Sequence, residues 1–148
     1  MTAAAARLIP LTLELGGKSP CVVDRTADVK IAARRIAWGK FLNAGQTCVA
    51  PDYLLVHREI VPELTAEIKL SVSRMFGADP RQSPYYGRLI GNEEVERMRR
   101  LMESGEVVFG GETDAAARYV APTLLRDVAP DSPLMQQEIF GPLLPVLE

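Results

Sequence analysis

The sequence predicts an α/β fold, a largely parallel sheet flanked by helices, and three observations carry that expectation. Short apolar runs of strand length alternate with longer amphipathic stretches at the helical period, the pattern of right-handed βαβ units. A composition of 47% hydrophobic and 24% charged residues, in a chain of 148, can bury a single respectable core. No internal repeat, low-complexity tract or linker divides the chain.

The Ala-rich stretch from Met1 to Leu8 reads as the end of a helix, stopped by Pro10. Leu11 to Leu15 reads as a short strand ending in Glu14-Leu15-Gly16-Gly17-Lys18, where two glycines let the backbone turn tightly or approach a ligand. Pro20 to Val23 is a second apolar strand, with Cys21 as inert core. Asp28 can cap a helix to about Ala44 whose core-facing stripe is Ile31, Ala32, Ile36, Ala37 and Phe41. Trp38 is expected to pack near that stripe. Arg34, Arg35 and Lys40 form a basic group assigned to the wet face, and Arg97, Arg99 and Arg100 read the same way.

Gly45 can end this helix in the left-handed conformation, Pro51 blocks any return to helix, and Asp52 to His57 reads as an apolar strand. A second amphipathic helix spans about Ile60 to Phe76, with Pro62 acceptable in its first turn. Gly77 to Gly87 is a polar loop. A third helix starts at Asn92 as N-cap, with Glu93 and Glu94 favouring the dipole, and ends at Gly105. Glu106 to Phe109 is a strand closed by Gly110-Gly111, and Thr113 to Arg118 an exposed loop. Tyr119 to Val128 is a strand interrupted by Pro122, hence edge-like or bulged, and Leu143 to Leu147 is a last apolar strand.

Charge and cysteine content exclude several function classes. A formal net charge of -2 gives no footprint for nucleic acid or a membrane surface, and no apolar run reaches the roughly 18 residues of a membrane span. No signal-peptide pattern opens the chain. Cys21 and Cys48 do not make a disulfide framework and suit a reducing cytoplasm. With His57 as the single histidine and no Cys-x-x-Cys, a metal site is not expected.

The chain is organised around Phe41 to Tyr53, which places Cys48 between a helix and a strand. A cysteine there can point into a cleft where backbone N–H groups receive an oxyanion, and its thiolate is a strong nucleophile. From these residues alone it is equally open to the usual fate of free cysteine, a small buried hydrophobe. Glu14 by itself is a solvated strand-end acid.

Three segments decide between these readings: Leu13-Glu14-Leu15-Gly16-Gly17-Lys18-Ser19-Pro20, Gly45-Gln46-Thr47-Cys48 and Glu138-Ile139-Phe140-Gly141-Pro142. In this order and spacing they resemble the aldehyde dehydrogenase superfamily, and Phe41–Tyr53 is most similar to its class 3 branch, the fatty and aromatic aldehyde dehydrogenases. The resemblance implies that Cys48 adds to the aldehyde carbonyl, forming a thiohemiacetal and then a thioester, and supplies an oxyanion donor from its backbone. It implies that Glu14 activates water to hydrolyse the thioester, that Glu138 holds the nicotinamide-side ribose, and that Phe140 packs near the ring. The cofactor would be NAD or NADP, the substrate an aldehyde, and the intact enzyme a homo-oligomer.

The same resemblance covers perhaps a third of a family member. Residues 1–15 are expected to end a preceding cofactor-domain segment and 16–148 to form part of the thiol-bearing catalytic domain. No Gly-rich dinucleotide turn occurs in the sequence, so the isolated chain is expected neither to bind cofactor nor to turn over. Two rival readings are a non-catalytic module with a structural or interaction role, and a cysteine hydrolase pairing Cys48 with His57. The hydrolase suffers from distance, since the intervening strand carries His57 roughly 15 to 20 Å away.

Overall fold

The computed structural model describes residues 1–148. After a short helix α1 (Thr2–Ala5), the segment to Ser19 forms no regular element. The strand expected at Leu11–Leu15 is therefore not made: Leu11, Leu13 and Leu15 are all exposed, so alternation there buries no face and no neighbouring strand pairs with it.

β1 (Pro20–Val23) leads to α2 (Val29–Phe41), where Asp28 accepts a hydrogen bond from the Ile31 amide at 2.9 Å, the cap the sequence predicts. A 3-10 turn (Leu42–Gly45) and a loop carry the chain into β2 (Tyr53–Val56), which pairs in parallel with β1. α3 (Val61–Phe76) follows, entered through a short 3-10 turn, and packs against α2 on one face of the sheet. α4 (Asn92–Met102) has Gly91 rather than Asn92 at its cap position, since Asn92 is already helical. β3 (Glu106–Phe109) comes next. The expected loop at Thr113–Arg118 instead begins with β4 (Thr113–Asp114), paired antiparallel with β5 (Tyr119–Val120). Pro122 does interrupt the run after Tyr119, splitting it into β5 and β6 (Thr123–Arg126). A single-turn helix α5 (Pro133–Gln136), absent from the sequence reading, precedes β7 (Leu143–Leu147).

The main sheet has the order β1-β2-β7-β6-β3. Its pairs are parallel except β3 with β6, which gives the mostly parallel, helix-flanked architecture expected. The core is continuous from Val23, Leu54 and Val56 through Leu64, Ile68 and Val72 to Leu124, Leu143 and Leu144. Burying each such side chain is worth about 1.5–3 kcal/mol, so this shared core holds the strand entrances in fixed relation. No helix is long and apolar enough to cross a membrane.

The buried stripe of α2 is Ala33, Ile36, Ala37, Lys40 and Phe41. It obeys the helical period but is turned relative to the expected one: Ile31 is exposed, and Trp38, at 60% exposure, does not pack inside. Lys40, assigned to the wet face because it is charged, has no exposed surface at all.

Candidate active site

β1, β2 and β7 are adjacent and parallel, so the loops that feed them emerge at one end of the sheet. Those loops carry the three segments singled out in the sequence: Glu14 to Lys18 before β1, Gly45 to Cys48 before β2, and Glu138 to Gly141 before β7. The Asp52 amide donates to the Ser19 carbonyl at 2.8 Å, fastening the first two loops at the strand entrances.

Two glycines bring the loops into van der Waals range. At Gly45, φ is +76°, and a Cβ would lie 2.2 Å from the carbonyl oxygen of Gly141. At Gly16, φ is +86°, and a Cβ would lie 2.3 Å from Oε2 of Glu138. Only glycine satisfies both the left-handed backbone and the close approach at these positions. Asn43 and Ala44 are also left-handed, so the chain reverses through three successive left-handed residues just before Cys48. This turn is held by Gln46, whose side chain donates to the carbonyls of Asn43 and Arg88 and accepts from the Ile90 amide at 3.0 Å.

Cys48 is exposed, inside a turn closed by the Ala50 amide on the Thr47 carbonyl. Cys21 is half-buried against the core, and burial pushes its thiol up from the ordinary value. Glu14 lies exposed on the segment that reaches Gly16. Glu138 is half-buried, makes no side-chain hydrogen bond, and rests over the bare Gly16 backbone. Phe140 has a left-handed backbone and 43% exposure, and it borders a cavity of about 430 Å³ shared with Asn43, Gln46, Arg88, Ile90 and Arg118. The largest cavity, about 590 Å³ between Asp79, Arg81 and Glu112, is lined by none of the predicted site residues and lies away from this chemistry. His57 sits past the opposite end of β2, where its Nδ1 accepts from the Glu59 amide.

Beneath these loops lies a charged layer that the sequence reading missed. Lys18 Nζ donates to Asp52 Oδ2 at 2.5 Å and to the carbonyls of Leu134 and Gln137 at 2.9 and 3.0 Å. Asp52, 4% exposed, accepts on Oδ1 from the Ile139 amide at 3.0 Å. Arg97 of α4 donates to the carbonyls of Ile139 and Glu138, so it braces the third loop instead of facing water. Lys40 Nζ is buried with no hydrogen-bond partner. Burial pushes its ammonium down to about 8; Asp52 opposes that fall, Lys18 adds to it, and Glu138 opposes it. No group of three His, Cys, Asp or Glu residues is placed to hold a metal ion.

The family model described as the aldehyde dehydrogenase family matches residues 1–148. The chain is 52% identical over 147 residues to the mouse (Mus musculus) protein named "Aldehyde dehydrogenase, dimeric NADP-preferring", covering 99% of this chain and 32% of that one. It is 49% identical to the human (Homo sapiens) protein named "Aldehyde dehydrogenase family 3 member B1", covering 99% of this chain and 31% of the relative. Among solved structures, the substrate-bound state of Staphylococcus aureus AldH superposes with a TM-score of 0.92 at 48% identity, over 99% of this chain and 32% of that one. The chain thus spans about a third of the length of the curated relatives it matches.

Proposed function

This chain belongs to the aldehyde dehydrogenase family, with family 3 members among its similar relatives, and on that premise we propose that it supplies the thiol-bearing part of an enzyme that oxidises an aldehyde to a carboxylic acid. The observation that carries this reading is the convergence of three loops at the entrances of three adjacent parallel strands. Cys48, Glu138 and the Glu14-to-Gly16 segment meet there, on glycines that leave no side chain between them. The exposed sulfur of Cys48 adds to the carbonyl carbon, and its backbone N–H is available to the oxygen that becomes negative. The adduct carbon then loses a hydride, leaving a thioester on Sγ. Glu14 takes a proton from water, whose oxygen attacks the thioester carbon and frees the acid and the thiol.

NAD or NADP would accept the hydride when bound. The residues present fit its nicotinamide side: Glu138 offers a carboxylate with both oxygens free of hydrogen bonds, above a backbone that carries no side chain, and Phe140 offers a partly exposed ring. Glu138 would accept from the ribose hydroxyls, and Phe140 would pack beside the ring. We read residues 1–15 as the end of a cofactor-domain segment and 16–148 as part of the catalytic domain. A homo-oligomer is proposed for the whole enzyme, in line with the mouse relative's description as dimeric. The hydrolase alternative draws no support from a histidine at the opposite end of β2.

The test is Glu14→Gln in the full-length protein. Losing a positioned base costs about 10²- to 10⁴-fold in its own step. A burst of reduced cofactor followed by slow turnover is therefore expected, with His57→Gln near wild type. Loss of the burst together with the turnover, or a larger effect from His57→Gln, would overturn these assignments.

A further inference from the structure

We propose that Lys40 is a positioning residue for Glu138: from beneath the site its ammonium supplies the counter-charge that keeps the Glu138 carboxylate directed over Gly16, ready for the cofactor ribose. The inference rests on the ribose role proposed above for Glu138 and extends it to a residue that never touches the cofactor.

The argument is one of pairing. Four charged groups act on one another at this end of the sheet: Lys18 from the loop before β1, Lys40 from the last turn of α2, Asp52 from the entrance of β2, and Glu138 from the loop before β7. Their formal charges cancel. Lys18 and Asp52 are already mated, and both oxygens of Asp52 are occupied, one by Lys18 and one by the Ile139 amide. The remaining two, Lys40 and Glu138, have opposite charge, and neither side chain makes a hydrogen bond. A fully buried ammonium is expensive to keep without compensation, and Glu138 is the one carboxylate of the group not already committed. Lys40 is also placed to act without interfering. It sits in the stripe of α2 that packs on the core, and the neighbouring Gly39 faces the Pro51 ring, so the end of the helix is wedged beneath the Cys48–Asp52 loop.

The experiment measures cofactor KM and kcat in the full-length protein for wild type, Lys40→Met, Lys40→Arg, Glu138→Gln and the double variant Lys40→Met/Glu138→Gln, across pH 6.5 to about 9.5. A charge-assisted contact weakened through its counter-charge is expected to raise cofactor KM about tenfold in Lys40→Met, with kcat changed less. On the Glu138→Gln background the same substitution should change KM by less than about twofold, because its object is gone. Lys40→Arg should retain low KM without the alkaline rise, since guanidinium stays charged. Wild type needs no variant: its KM should climb as pH passes through about 8, the value to which burial brings Lys40. A flat wild-type profile, an unchanged KM in Lys40→Met, or an undiminished effect in the double variant would overturn the proposal. If Glu138→Gln itself left KM unchanged, the ribose assignment would fall and this proposal with it. If Glu138→Gln raised KM and Lys40→Met did not, only the role of Lys40 would fall.

Discussion

Removing the Asp52 carboxylate should loosen the third loop more than any single apolar truncation near it. The perturbation is Asp52→Ala, with Asp52→Asn as the shape-preserving control. In the alanine variant Lys18 keeps two carbonyls but loses its counter-ion, and the Ile139 amide loses its acceptor. Lys40 loses the carboxylate that most supports its charge. Breaking a buried ion pair from one side costs about 3–5 kcal/mol. The Lys18 side chain is 20% exposed, so water recovers part of that, and we expect about 3 kcal/mol. The asparagine variant still offers an oxygen to Ile139 and should lose about 1.5–3 kcal/mol, the worth of a charged hydrogen bond. Urea unfolding followed by circular dichroism reads both, at a typical slope of about 1–3 kcal/mol per molar urea. Hydrogen exchange at the Ile139 amide reads the loop directly and should accelerate in the alanine variant. A loss under about 1 kcal/mol with unchanged Ile139 exchange would refute the idea that the pair anchors this loop.

Three further outcomes follow from the same geometry. Cys48 should alkylate far faster than Cys21 under native conditions, because one is exposed and the other half-buried with its thiol pushed up; equal labelling by mass-spectrometric mapping would contradict this. Gly45→Ala should cost about 2–5 kcal/mol from its left-handed backbone and the overlap with Gly141, whereas Gly17→Ala, with open space around it, should melt like wild type. Lys40 has a folded value of about 8 against an ordinary 10.5, so between those pH values the unfolded chain binds more protons. Stability should therefore gain about 3 kcal/mol as pH rises across that window, a gain absent in Lys40→Met when the two are unfolded side by side.

Much of the architecture was legible because it rests on local chemistry. The Asp28 cap, the Pro122 interruption and the β1, β2 and β7 strands all follow from residue type and period. Leu11 to Leu15 was not, since alternation shows that a strand could form but not whether a neighbour exists to pair with it. The stripe of α2 was misplaced for a related reason. Position 40 completes the period set by Ile36 and Ala37, but a lysine there reads as solvent-facing until Asp52 and Glu138, far along the chain, are known to lie nearby. Arg97 and Gln46 were opaque for the same cause: their partners are backbone groups of distant loops. Motif residues could be named from the sequence, whereas the groups that hold them in place could not.

The direction in which α2 meets the site has its own consequence. A helix presents partial positive charge at its amino end and about half a negative charge at its carboxyl end. Many anion-handling sites draw on the amino end, but α2 delivers the chain to Cys48 from its carboxyl end. The pole nearest the sulfur is therefore of the wrong sign for chemistry that builds negative charge on sulfur, oxygen and carboxylate. The last turn of α2 holds a single basic residue, and it is Lys40. Set against that pole, its ammonium blunts the helix's own field before the field reaches the reacting groups, which gives the interior cation a task even when no substrate is bound.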